Sequence, residues 1–141
     1  MSEEEQVLPA YSQPFLPAAI RELTAQGPLS AITPEWAWGG STGAGIKVAV
    51  VDTGIEYDHQ AVGGMVRGGV IVEWDETAKD KVRYDADDQP MDLAGHGTAC
   101  AGIIHSLAPE AELYSVRVLG KNMGGRAYQF AAGVDWAVEN R

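Results

Sequence analysis

An α/β fold, with a mostly parallel sheet flanked by helices, is predicted by three features of the sequence. Ile46 to Val51 is a short, almost wholly apolar run rich in valine, the pattern of a strand buried on both faces, and it stops abruptly at Asp52-Thr53-Gly54. Gly95-His96-Gly97-Thr98 opens a small-residue helix running to about Leu107; Pro109 ends it, and Glu112 to Leu119 reads as the following strand. Ala127, Ala131, Val134 and Val138 then recur at helical spacing, which predicts a last helix with this face turned to the sheet.

The remaining segments fit around this frame. Pro9, Pro14 and Pro17 make residues 1–17 an extended arm, with a short helix expected over Ala18 to Gln26. Glu35 to Trp38 can form one helical turn after Pro34, and Gly39 to Gly45 a flexible link. The expected organisation is an N-terminal extension over residues 1–33 and one domain over residues 34–141. Gly69 to Trp74 reads as another strand, and the acidic stretch Asp75 to Asp92 as a solvated surface loop. A final helix with no strand after it leaves the expected fold incomplete, holding roughly the first half of a domain.

Composition narrows the partners. With 45% hydrophobic residues in 141, the chain can pack one ordinary core. A net charge of −10 repels phosphate backbones and anionic lipid, so neither nucleic acid nor a membrane surface is an expected partner. No run of about 18 apolar residues is present, and the acidic opening lacks the form of an export signal. The single cysteine, Cys100, cannot form an internal disulfide, and the expected location is cytoplasmic.

Two residues stand out chemically. Asp52 lies where a buried strand ends, the edge at which open α/β sheets place their ligand sites. Amides of the next turn and the Thr53 hydroxyl could hydrogen-bond its carboxylate and keep it ionised; a turn-capping aspartate is the bland alternative. His96 stands between two glycines at a helix start, where the positive end of the macrodipole disfavours imidazolium and leaves a neutral base. A surface or capping histidine is the corresponding alternative there.

Taken together, Val48-Ala49-Val50-Val51-Asp52-Thr53-Gly54-Ile55 resembles the aspartate motif of the subtilisin-like serine proteases, and Gly95-His96-Gly97-Thr98-Ala99-Cys100-Ala101-Gly102 resembles their histidine motif. Leu107 to Gly120 and Gly133 to Arg141 continue the likeness, which covers residues 34 to 141. The resemblance implies a subtilisin-like three-layer fold and peptide-bond hydrolysis by an Asp-His-Ser triad, with peptide or protein substrates and no cofactor. Asp52 would orient the imidazole and His96 would move the proton. Leu119 and Met123-Gly124-Gly125 would line the edge that pairs with an extended substrate. The family's serine motif, of Gly-Thr-Ser-Met-Ala type, is absent, so this chain alone is expected to be inactive.

The resemblance also implies where metal should be missing. Many members hold calcium with a carboxylate nine residues after the triad aspartate and a loop inserted in the helix after the histidine; here the first position is Ala61, and Ile103 to Pro109 leaves no room for the second. No metal is therefore expected at that position. Leu8-Pro9-Ala10-Tyr11 faintly resembles an inhibitory segment in the N-terminal extensions of intracellular members.

Other chemistries share parts of this pattern. An Asp-Thr-Gly after apolar residues also marks aspartic proteases, but those folds are all-β and have no use for the histidine motif. His96 and Cys100, four apart, could form a nucleophile pair, although Cys100 among Ala99, Ala101 and Gly102 fits a core role better. His59, His105 and Cys100 lack zinc-site spacing. From a different functional class comes a truncated or split non-catalytic module that binds a peptide, or a second polypeptide that completes the domain.

Overall fold

The computed structural model describes residues 33–140 except Gln89, and the chain divides into two compact units, residues 1–40 and 41–141. The extended arm, the helix expected over Ala18 to Gln26 and the Leu8 to Tyr11 segment lie outside the described residues. In the first unit, α1 (Pro34–Trp38) is the expected single turn; the Thr33 hydroxyl caps it by accepting from the Trp36 amide at 3.2 Å.

The second unit runs β1 (Lys47–Asp52), a 3₁₀ turn (Gln60–Val62), β2 (Val66–Trp74), β3 (Val82–Ala86), α2 (His96–Leu107), β4 (Glu112–Arg117) and α3 (Ala127–Glu139). The sheet order is β1-β4-β2-β3. Central β4 is parallel to both neighbours, pairing Val116 with Val51 on one side and Val70 on the other; β3 returns antiparallel to β2. The fold is α/β, as expected, with an antiparallel edge.

Period-two alternation sorts the strand side chains onto two faces. Val50 and Leu113 join Ile55, Val62 and Ala101 in one core, with Ile104 of α2 packed against it. Val70, Val72, Val82 and Val116 join Val118 and Ala132 in the other, with Trp136 of α3 alongside. One helix thus covers each face, giving three layers. Each fully buried Val, Leu or Ile side chain favours the fold by about 1.5–3 kcal/mol relative to exposure.

Two expectations are corrected. The acidic stretch from Asp75 to Asp92 is not all loop, because it contains β3. Only Val82 of that strand is buried, and charge hides the alternation: Arg83 pairs with Glu73 across the hairpin at 2.7 Å and with Asp85 at 2.8 Å. The buried face of α3 is also not the expected one, since Val134 and Val138 are each 51% exposed while Ala132 and Gly133 are buried. Small residues explain the error. A Cβ on Gly133 would stand 2.8 Å from a Val118 methyl and 3.0 Å from one of Val116, so the helix rests on the sheet through its glycine backbone. Hydrophobicity periods weigh glycine lightly and miss this contact.

Replacing Gly133 by Ala is expected to overpack this seam and cost about 1–3 kcal/mol in urea unfolding, while Val134→Ala on the exposed face stays within about 0.5 kcal/mol. Equal effects from the two would contradict the seating of α3.

Candidate active site

The site forms where β1 and α2 meet. Asp52 is the last residue of β1, and its carbonyl accepts from the amides of Val118 at 2.9 Å and Leu119 at 3.1 Å, just past β4. Its side chain is only 13% exposed. The Thr53 amide donates to Oδ1 at 2.7 Å, as the sequence suggested. The Thr53 hydroxyl, expected to do the same, instead donates to Asp92 Oδ1 at 2.6 Å and accepts from the Gly97 amide at 3.1 Å.

His96 is the first residue of α2, and its Nδ1 lies 2.8 Å from Asp52 Oδ2 and 2.9 Å from Oδ1. An ionised carboxylate only accepts, so Nδ1 carries the hydrogen, and in the neutral ring Nε2 is left with its lone pair. The imidazole is half exposed, at 52%. A buried carboxylate holding one nitrogen of a solvent-facing imidazole is an arrangement suited to a general base.

The close approach behind this pair depends on Gly97. A Cβ there would meet the Gly54 carbonyl oxygen at 2.1 Å, so any side chain would push the helix start off the turn after β1. Asp92 adds a second tie that sequence reading missed. Its Oδ1 accepts from the amides of Ala94 at 3.0 Å and Gly95 at 2.7 Å, and its Oδ2 from Thr98 at 2.7 Å. Burial works to raise its pKa, but hydrogen bonds from Thr53, Thr98 and Ala94 overcome this and hold it down at about 2. The available signal was an aspartate one turn before a helix whose own cap residue is glycine.

The other singled-out residues fall into place around the pair. Leu119 is tied to the Asp52 carbonyl, as described above. Met123 to Gly125 belong to an exposed turn, in which the Gly120 amide donates to the Gly124 carbonyl at 3.0 Å and Met123 takes φ 58°. Gly124 and Gly125 have no strand partner among the described residues. Cys100 Sγ lies 3.8 Å from Nδ1 and 4.0 Å from Nε2 of His96. Such equal distances put the sulfur in line with neither nitrogen, which argues against a cysteine-histidine nucleophile pair.

Asp52, His96 and Cys100 offer ligand atoms within 4.8 Å of one another, but the Nδ1 hydrogen bond to Asp52 occupies the space a metal would need. The calcium position implied by the resemblance does not fit this chain either. Ala61 has no side-chain ligand where the family pattern has a carboxylate, and α2 runs unbroken from His96 to Leu107 against the 3₁₀ turn.

Two outcomes follow. The folded-state pKa of Asp92 is depressed below its ordinary 3.8, so its stabilising effect is full above that value and is lost as pH falls towards about 2. The stability gap between the parent and D92N, from urea unfolding at stepped pH, should therefore narrow over that window; a constant gap would contradict it. Added calcium is expected to leave Tm unchanged, whereas a rise of several degrees would reveal a calcium site.

Residues 43–141 match the Subtilase family of peptidases. Thermitase of Thermoactinomyces vulgaris is 35% identical over 123 residues, covering 80% of this chain and 40% of its own length. Subtilisin Savinase of Lederbergia lenta is 37% identical over 110 residues, covering 72% of this chain and 36% of its own. A cold-adapted subtilisin-like serine proteinase superposes with TM-score 0.54 at 30% identity, over 72% of this chain and 34% of that one. The chain thus spans 40% or less of the length of each of these relatives. The order of aspartate and histidine motifs, the sheet that carries them and the extent of these matches lead to one conclusion: the chain belongs to the subtilase family.

Proposed function

We propose that the protein acts as a serine-type endopeptidase in which Asp52 and His96 are two members of an Asp-His-Ser triad. The observation that carries this reading is the 2.8 Å contact between His96 Nδ1 and Asp52 Oδ2, with the imidazole open to solvent. Nε2 takes the proton of a serine hydroxyl as it attacks the peptide carbonyl, Asp52 stabilises the imidazolium, and the proton passes to the leaving amine. The serine comes from outside these 141 residues, so the chain alone is inactive. Leu119 and Met123-Gly124-Gly125 offer an edge for the extended peptide or protein substrate.

A second reading, a split or non-catalytic module that binds a peptide or partner chain, draws support from β1. Among the described residues nothing pairs with its outer edge, and a groove beside it is lined by Ala49, Val51, Val134 and Val138. Unpaired apolar edges recruit further strands. Light scattering of this chain tests whether that edge recruits a partner: self-association supports the second reading, and a monodisperse monomer argues against it.

In a complete subtilase domain built on this chain, His96→Ala is expected to lower peptide turnover by a factor on the order of 10⁴ or more. Turnover close to the parent's would overturn the assignment.

A further inference from the structure

We propose that Asp92 is a positioning residue for the Asp52–His96 pair, acting through the Thr53 hydroxyl and the first turn of α2. The inference rests on the reading above that this pair is the catalytic base and its orienting carboxylate. The two partners are 44 residues apart and come from different elements, one closing β1 and the other opening α2. Their hydrogen bond is only as well directed as the link between those elements.

Asp92 supplies that link from both sides. Towards β1, its Oδ1 accepts from the hydroxyl of Thr53, whose amide donates to Asp52 Oδ1. Towards α2, its Oδ2 accepts from Thr98, two residues past His96, and Oδ1 accepts from Ala94 and Gly95 just before it. The amides of a first helical turn have no partner within the helix, and Gly95 at the cap position has no side chain to offer. A negative charge there also meets the positive end of the helix dipole. Thr53 closes the loop, since its oxygen accepts from Gly97, the neighbour of His96. Thr53 beside Asp52, and Ala94, Gly95 and Thr98 around His96, are thus gathered on one carboxylate, which itself is bonded to neither nitrogen of His96.

The test uses the ¹⁵N-labelled 141-residue chain and reads the His96 Nδ1–H resonance and its exchange with water. Asp92→Asn turns a donor towards the Thr98 amide, and Thr53→Val removes the bridge while keeping shape. In D92N the proton should exchange about tenfold faster, the scale of losing one capping hydrogen bond, and in T53V faster by a smaller factor. Ile104→Val, a core change on the same helix, is the control for lost stability and should leave the rate within about twofold. Unchanged exchange in folded D92N overturns the proposal, as does an I104V effect as large as that of D92N. Should D92N fail to fold, T53V decides, and unchanged exchange there overturns the route through Thr53. Asp52→Asn tests the underlying pair: if the resonance survives that change unaltered, the reading of the pair fails whatever Asp92 does.

Discussion

The start of α2 presses against the turn after β1, and the rest of the site depends on how close that approach is. Gly97 sits where a Cβ would fall 2.1 Å from the Gly54 carbonyl oxygen, so backbone meets backbone with no side chain between. Only at that separation can an imidazole on the first residue of a helix reach a carboxylate on the last residue of a strand. A motif that reads as catalytic because of its aspartate and histidine is equally a packing motif because of its glycines.

Burial and charge then divide the labour. Asp52 is largely shielded and held by the Thr53 amide and His96, whereas His96 keeps half of its side chain in solvent. A carboxylate screened from water acts on its partner more strongly than an exposed one. The exposed ring can meet a third group arriving from elsewhere. Leu119, tied to the Asp52 carbonyl, leads from the end of β4 into the exposed turn at Met123 to Gly125, so that turn and the imidazole share one support. The helix on the opposite face, α3, rests on the sheet through Gly133 and leaves Val134 and Val138 beside the outer edge of β1.

Most of the frame was legible from the sequence because its signals are local. The valine run of β1, the small-residue helix after His96 and the strand after Pro109 each declare themselves within a dozen residues. What escaped depends on partners distant in sequence. β3 hides among acids because its charged residues pair with one another and with β2, and its single buried side chain, Val82, gives no alternation to read. The Thr53 hydroxyl was expected to serve the neighbouring Asp52 carboxylate; only the folded loop shows that it turns to Asp92, 39 residues away.

The sequence by itself determined the α/β class, the family likeness, and Asp52 and His96 as the residues to watch, because strand burial, helix starts and motif order are written in neighbouring residues. Tertiary structure decided which nitrogen of His96 meets the Asp52 carboxylate, which face of α3 is buried, and that Asp92 joins the site rather than the solvent. Those outcomes follow from how closely two backbones can approach and from which donors face which acceptors once they do. Such contacts link positions 39 to 44 residues apart, beyond the reach of any local pattern.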